Sequence, residues 1–248
     1  MDNEKKERDN KKFVSYSIIV LLLFVFQTIV GKAGCAVADA LPLGKVDPDN
    51  AFAWISVHHI TEMLIVLAVV MVLSRILKVD FGFTLGDRKR GIKYVAEFSA
   101  IFALVTLVCH ILMKIFSMLP VYSFPLNIHN ILGTLSFQLF LSGPMEEILY
   151  RALPITLILH VTGKSVKVKW GITLETIIVS ILFALAHLKW SLFPFSVEPD
   201  FFALIYAFVM GIIMGKAYQD TGSVLYPMLM HSISNVMMVG TGYLFLIF

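Results

Sequence analysis

Three short polar motifs interrupt otherwise apolar stretches of this 248-residue chain. The first runs from Glu146 to Arg151, the second ends at His187, and the third contains His231 and Asn235. Carboxylates and imidazoles are the side chains that most often transfer protons in catalysis, and they also bind metal ions. These residue types therefore predict either proton-transfer chemistry or a metal site.

The first motif contains two carboxylates whose positions on a helix differ. Glu147 and Arg151 are four residues apart, so they share one helix face and can form an ion pair. Glu146 points about 100° away from Glu147 and has no basic partner close in sequence. Gly143-Pro144 predicts a kink or an interruption just upstream, which would place Glu146 in the first turn of a half-helix, near its positive dipole end. A structural ion pair would account for Glu147 and Arg151, but not for the second carboxylate.

The second and third motifs each place two residues on one helix face. Phe183 and His187 are four residues apart, as are His231 and Asn235. Taken singly, each histidine is also consistent with an ordinary interior residue, or with the interhelical hydrogen bonds that are common in membrane bundles. Taken together, three polar motifs on three helices predict that their side chains converge in one cavity.

A further histidine pair competes with these motifs. His58-His59 and Glu62 give an H-x-x-E spacing near the start of an apolar stretch. This position favours a solvated helix end over a functional site.

The composition identifies the elements that position the motifs. The chain is 58% hydrophobic and 15% charged, whereas soluble domains contain about 25% charged residues. A membrane-spanning helix needs about 20 mostly apolar residues, and seven stretches meet or approach this length: 13–31, 54–77, 94–117, 131–159, 171–189, 200–217 and 224–247. We therefore expect an all-α, polytopic transmembrane bundle of about seven spans, with an eighth left open, in a single membrane domain covering 1–248.

The connectors predict how the chain lies in the membrane. Residues 32–53 are expected to form an extramembrane loop, and residues 78–93 could lie along the membrane surface. The charged segment 1–12 is expected to be cytoplasmic, because fifteen Lys and Arg residues then fall on the cytoplasmic side and four on the other. We expect a multi-pass protein of the cell membrane. No basic face of a soluble fold indicates a nucleic-acid partner, and Cys35 and Cys109 have no metal-type spacing.

The three motifs together resemble those of the CAAX protease and bacteriocin-processing family, also called the CPBP or Abi intramembrane proteases, which are related to the Ras-converting CAAX prenyl endopeptidases. The family patterns are E-E-x-x-x-R, F-x-x-x-H and H-x-x-x-N. They correspond here to Glu146-Glu147-x-x-x-Arg151, Phe183-x-x-x-His187 and His231-x-x-x-Asn235. The resemblance covers roughly 130–240, which is the expected protease core.

The resemblance implies that the chain hydrolyses a peptide bond near the end of membrane-associated or lipidated peptides. By this likeness Glu146 activates a water molecule with help from His187, and His231 and Asn235 bind the scissile carbonyl and its oxyanion. Glu147 would support the site by pairing with Arg151. Phe183 belongs to the same supporting set.

Several alternatives stay open at this point. The favoured mechanism requires no cofactor, but Glu146, His187 and His231 could supply three ligands to Zn²⁺. The same motifs could instead tie helices together in a non-catalytic scaffold or bacteriocin-immunity protein, or they could serve a transporter or proton relay, although no paired repeats are present. Membrane lipids and a lipidated or membrane-associated peptide are the expected partners. The sequence does not determine the substrate or the oligomeric state.

Overall fold

The computed structural model describes the backbone of residues 2–192 and 195–248, and the side chains of residues 14–190 and 195–248. The side chains of the charged segment 1–12 therefore lie outside the described part. The helices are α1 (Asp2–Ala40), α2 (Ala53–Leu77), α3 (Arg88–Ile115), α4 (Ile128–Phe137), α5 (Gly143–Glu147), α6 (Leu153–Thr162), α7 (Leu174–Ala186), α8 (Phe201–Thr221) and α9 (Leu225–Ile247). A 3₁₀ turn (Leu43–Lys45) and a β-hairpin (β1, Lys189–Leu192; β2, Phe195–Glu198) complete the fold.

The predicted all-α membrane bundle is confirmed. Within the described residues, five helices are long and apolar enough to cross a membrane: α1 from Val14, α2, α3, α8 and α9. The run from α4 to α6 corresponds to the predicted span 131–159, and α7 is a shorter apolar helix inside the predicted span 171–189. The chain is a multi-pass membrane protein.

Two predicted connectors are shorter than the sequence suggested. Helix α1 continues to Ala40, so the loop expected at 32–53 covers only residues 41–52. Helix α3 begins at Arg88, because Asp87 caps it by accepting a hydrogen bond from the backbone N–H of Arg90 at 3.0 Å. The basic residues expected along the membrane surface therefore form the first turns of α3.

The helical run from α4 to α6 is continuous, and two π-helical turns separate its parts. They cover Gln138–Ser142 and Ile148–Ala152. Each ends two residues before a proline, Pro144 or Pro154. Proline has no N–H, and its ring crowds the preceding helical turn. A widened turn with i→i+5 hydrogen bonds relieves this crowding. The helix is therefore not interrupted at Gly143-Pro144, and Glu146 does not lie in the first turn of a separate half-helix. The predicted kink stays a prediction.

Small residues allow the helices around this run to approach closely. A Cβ on Gly211 of α8 would lie 2.8 Å from the Ser180 side chain of α7, and one on Gly215 would lie 2.9 Å from Thr176. This is the small-residue packing typical of membrane helices. It fixes the first half of α7 against α8.

Candidate active site

The first and third motifs meet where α5 crosses α9. A Cβ on Gly143 would lie 2.8 Å from the backbone nitrogen of Ser232 and 3.1 Å from the carbonyl oxygen of Met228. Only glycine allows the two backbones to come this close. As a consequence, the glutamates that follow Gly143 lie opposite His231.

Glu147 lies at the centre of a buried cluster of charges. Its Oε1 atom is 3.1 Å from Nη1 of Arg151, so the ion pair expected from the helix spacing is present. The same oxygen accepts a hydrogen bond from Nδ1 of His231 at 2.7 Å. Glu147 and Arg151 are both fully buried, with 0% exposure. Glu147 therefore has two partners, one on its own helix and one on α9.

Phe183 packs under this cluster and connects it to the second motif. The guanidinium of Arg151 lies over the Phe183 ring, 4.1 Å from the ring centroid, which is a cation–π arrangement. The rings of His187 and His231 also approach Phe183 edge-on, at 4.7 and 6.2 Å between centroids. Phe183 thus contacts a member of each motif.

Glu146 has a different environment from Glu147. Its side chain is 16% exposed, and its two oxygens face different helices. Oε1 lies 3.6 Å from Nε2 of His59 on α2, and Oε2 lies 3.7 Å from Nε2 of His231 on α9. Oε1 also accepts a hydrogen bond from the hydroxyl of Ser142 at 3.1 Å.

Three histidines around Glu146 share one orientation. In each, the Nδ1 atom contacts an oxygen acceptor: the carbonyl of Ile55 for His59 at 3.1 Å, the carbonyl of Phe183 for His187 at 2.9 Å, and Glu147 for His231. Because a carbonyl oxygen only accepts, the proton is assigned to Nδ1 in His59 and His187. Their Nε2 atoms then carry lone pairs that can accept a proton or a metal ion.

Asn235 joins the site through Ser142. The Nδ2 group of Asn235 donates to the Ser142 hydroxyl at 3.0 Å, and this hydroxyl in turn donates to Glu146. The chain Asn235–Ser142–Glu146 therefore connects the third motif to the first. It also fixes the orientation of the Glu146 carboxylate.

Two adjoining cavities open on Glu146, His59, His187 and Phe183. The wide cavity, of about 580 Å³, lies between α1, α2, α5 and α7 and reaches Lys32, Cys35 and Trp190. The narrow cavity, of about 330 Å³, extends towards α8 and α9 and is also lined by Ser142, Tyr206, His231 and Asn235. Glu146 would therefore lie next to a peptide bound in either cavity.

The structure thus brings together all the residues predicted for the chemistry. Glu146, His231 and Asn235 are linked by the contacts described above, and His187 lies at the end of α7, exposed, where it lines both cavities. Their catalytic roles stay predictions.

Two residues of the site were not predicted. His59 was interpreted with His58 and Glu62 as part of a solvated helix end, which is wrong, because His59 and Glu62 are buried at 8% and 5% exposure. Ser142 stands one turn before Glu146, so its i, i+4 spacing was a usable signal.

The residues that could bind a metal differ from the predicted trio. Within the described residues, His58, His59 and Glu62 form a group whose ligand atoms all lie within 4.8 Å of one another. The predicted set of Glu146, His187 and His231 is a different group, and zinc binding there stays a prediction.

Comparison with known families supports the resemblance inferred from the three motifs. Residues 128–237 match the family described as "Type II CAAX prenyl endopeptidase Rce1-like". The match includes all three motifs and agrees closely with the expected core at 130–240. Neither a curated protein nor a solved structure gives a significant match.

Proposed function

Because residues 128–237 match a family of CAAX prenyl endopeptidases, we propose that this protein is an intramembrane endopeptidase. Its substrates are membrane-associated or lipidated peptides, and it cleaves them near one end in the cavities around Glu146. The protein lies among membrane lipids, and its lipid-anchored substrates reach it from the same membrane. The reaction requires only protein side chains and water.

The observation that carries this proposal is the position of Glu146. Its carboxylate lies in the wall of two cavities, between two imidazole Nε2 atoms from different helices. A buried carboxylate that served only to tie helices would be expected to have a permanently charged partner such as Arg151, which instead pairs with Glu147. This arrangement favours proton transfer at Glu146.

In the proposed reaction Glu146 acts as the general base. It removes a proton from a water molecule as the water oxygen attacks the carbonyl carbon of the scissile peptide bond. His187 contributes its free Nε2 to hold this water. The proton then passes from Glu146 to the amide nitrogen as the C–N bond breaks, which gives a carboxylic acid and an amine. The acid then loses its proton to the amine, so that a carboxylate and an ammonium group leave.

His231 and Asn235 stabilise the oxyanion of the tetrahedral intermediate. Protonated on both nitrogens, His231 donates through Nε2 while its Nδ1–H is held by Glu147 at 2.7 Å. The Asn235 amide has a second N–H beyond the one that it gives to Ser142. Glu147 therefore supports the site by orienting His231 as well as by pairing with Arg151.

The location that we propose is the cell membrane, with the N-terminus in the cytoplasm. The distribution of Lys and Arg supports this orientation. Lys32 and Cys35 lie near the end of α1 that is remote from the N-terminus, and both line the wide cavity. The wide cavity then opens on the side of the membrane opposite the cytoplasm.

The proposal is tested by cleavage assays on the purified protein in lipid vesicles. The substrate is a fluorogenic peptide with a farnesyl group near its cleaved end, compared with the same peptide bearing an acyl chain or no lipid. Glu146→Gln keeps the shape of the side chain but removes the base, and we expect turnover to fall by about 10²–10⁴-fold. Glu97→Gln, which changes an exposed glutamate of α3, serves as the matched control and should cleave normally.

Retained turnover in Glu146→Gln would contradict the enzymatic assignment. It would favour the scaffold or immunity alternative, in which the motifs only tie helices together. Substrate accumulation in vesicles that depends on Glu146, without cleavage, would instead favour a transporter.

A further inference from the structure

We propose that His58, His59 and Glu62 form a binding site for a divalent metal ion of the Zn²⁺ type. The site lies in the wide cavity beside Glu146 and is separate from the three motifs. This inference goes beyond the proposed function, because it concerns binding and does not depend on cleavage.

The distances within this group fit a metal ion. Zinc binds histidine nitrogen and carboxylate oxygen at about 2.0–2.2 Å with tetrahedral geometry, which separates two of its ligand atoms by about 3.3 Å. Nε2 of His58 lies 3.3 Å from Oε1 of Glu62. The ligand atoms of all three residues lie within 4.8 Å of one another, so small side-chain rotations would complete the site. Two histidines and a glutamate are a ligand set that zinc uses in proteins.

One of the two histidines is held as metal ligands usually are, whereas the Nδ1 atom of the other, His58, is buried without a hydrogen-bond partner. A ligating histidine generally donates its other ring N–H to a carbonyl or carboxylate. His59 does so, since its Nδ1 contacts the carbonyl oxygen of Ile55 at 3.1 Å. The ring of His58 stacks on Trp54, with 5.4 Å between centroids and an angle of 10° between the planes.

Two glycines of α1, Gly31 and Gly34, leave space for the side chains of Glu62 and His58. A Cβ on Gly34 would lie 2.7 Å from Nδ1 of His58, and one on Gly31 would lie 3.6 Å from Oε1 of Glu62. Gly31 and Gly34 are three residues apart and therefore share the face of α1 that covers the group. A larger residue at Gly34 would displace His58.

The position of His59 links the metal ion to the candidate active site. Its Nε2 atom lies 3.6 Å from Oε1 of Glu146. With the proton on Nδ1, this Nε2 carries a lone pair that is available to a metal ion. A metal ion bound through His59 therefore places positive charge beside Glu146.

Titration of the purified protein with Co²⁺ tests the proposal. The protein is prepared in detergent with an affinity tag other than polyhistidine, and the visible absorption of tetrahedral Co²⁺ reports binding. We expect one equivalent of Co²⁺ per chain, displaced by one equivalent of Zn²⁺. His58→Gln and Glu62→Gln each remove a ligand, and should weaken Co²⁺ binding by at least about tenfold, because even the loss of an outer partner costs about 10–100-fold.

The matched control is His160→Gln, which changes an exposed histidine at the end of α6. It should bind Co²⁺ as the unaltered chain does. Absence of a tetrahedral Co²⁺ spectrum in the unaltered chain would overturn the proposal without involving any variant. Equal binding by Glu62→Gln, His58→Gln and His160→Gln would also overturn it. None of these results depends on peptide cleavage, so the proposed function can fail or stand independently.

Discussion

Glu146 and Glu147 are adjacent in sequence, yet they lie in two different regions of the molecule. Glu147 and Arg151 form a sealed pair with 0% exposure, and Glu147 also contacts His231. Glu146 faces two cavities, and its neighbours are a hydroxyl and two imidazoles. One carboxylate is held by a fixed cation, and the other is left able to exchange protons. The two environments are separated by the rotation of about 100° between consecutive residues of a helix.

This difference explains why the proposed reaction needs two glutamates. A carboxylate that orients His231 must stay ionised and immobile, and the buried pair with Arg151 provides this. A general base must instead gain and lose a proton during each turnover, which a guanidinium in direct contact with its carboxylate would oppose. We therefore expect substitutions on the Glu147 side to affect stability and those on the Glu146 side to affect turnover.

Arg151→Met should have the largest effect on stability. It leaves the carboxylate of Glu147 buried without its cation, and breaking a buried pair in this way costs about 3–5 kcal/mol. The measurement is unfolding in detergent, by heat or by SDS titration, followed by circular dichroism. The double variant Arg151→Met/Glu147→Gln should recover much of the loss, because it removes the charge that was left unpaired.

The control for this prediction is Lys216→Met. Lys216 pairs with Asp220 at 2.8 Å, but both side chains are 30% exposed, and pairs in contact with solvent contribute about 0–1 kcal/mol. Equal losses for Arg151→Met and Lys216→Met would remove the distinction between a sealed and an open region.

Gly143→Ala should disturb both regions, because it acts on the crossing that holds them together. The added methyl group would lie 2.8 Å from the backbone nitrogen of Ser232, and a backbone atom cannot move aside as a side chain can. Overpacking of this kind costs about 1–3 kcal/mol. Displacement of α9 would also lengthen the contact between Glu147 and His231, so turnover should fall together with stability.

Gly240→Ala provides the comparison on α9. Its added methyl group would meet only a side-chain atom of Leu135 at 3.8 Å, an ordinary contact. Normal stability and turnover in Gly143→Ala would show that the close crossing of α5 and α9 is not required.

Ser142→Ala should lower turnover while leaving the fold intact. It removes the hydroxyl that donates to Glu146 and accepts from Asn235. A hydrogen bond to a charged group contributes about 1.5–3 kcal/mol, so we expect kcat to fall roughly 10–100-fold with little change in KM. Ser142→Thr keeps the hydroxyl and should restore most of kcat.

Ser234→Ala is the matched control for Ser142→Ala. Its hydroxyl is buried as well, but it donates to the carbonyl of His231 within its own helix. If Ser142→Ala and Ser234→Ala reduced kcat equally, Ser142 would not act as a positioning residue for Glu146.

The sequence predicted the helices and the convergence of the motifs because both depend on local patterns. Apolar length identifies a span, and i, i+4 spacing identifies residues that share a helix face, as for Glu147 and Arg151. The proximity of His59 to Glu146 depends instead on how α2 packs against α5, and no local pattern contains this information. The π-helical turns before Pro144 and Pro154 were missed for a related reason, since proline alone does not distinguish a break from a widened turn.

Asp47, in the loop before α2, is a buried carboxylate with backbone donors around it, and we expect the smallest effect there. It is 3% exposed and accepts hydrogen bonds from the backbone N–H groups of Ala51, Phe52 and Ala53 at 2.7–2.9 Å. Burial raises its pKa, but these three hydrogen bonds outweigh burial and hold the pKa below its ordinary value. The ionised form therefore stabilises the fold at all pH values above the ordinary pKa of about 3.9, and this contribution is lost as the pH falls through the lowered pKa.

Asp47→Asn tests whether neutral donors can hold a buried carboxylate as Arg151 holds Glu147. Loss of a helix-capping side chain costs about 0.5–2 kcal/mol, and asparagine retains part of the capping, so we expect a loss near the lower end at pH 7. The difference in unfolding midpoint between Asp47→Asn and the unaltered chain should shrink as the pH is lowered below about 4. A difference that stayed constant down to this pH would mean that the carboxylate charge of Asp47 contributes nothing. In that case neutral backbone donors at Asp47 would not give the electrostatic stabilisation that Arg151 gives Glu147.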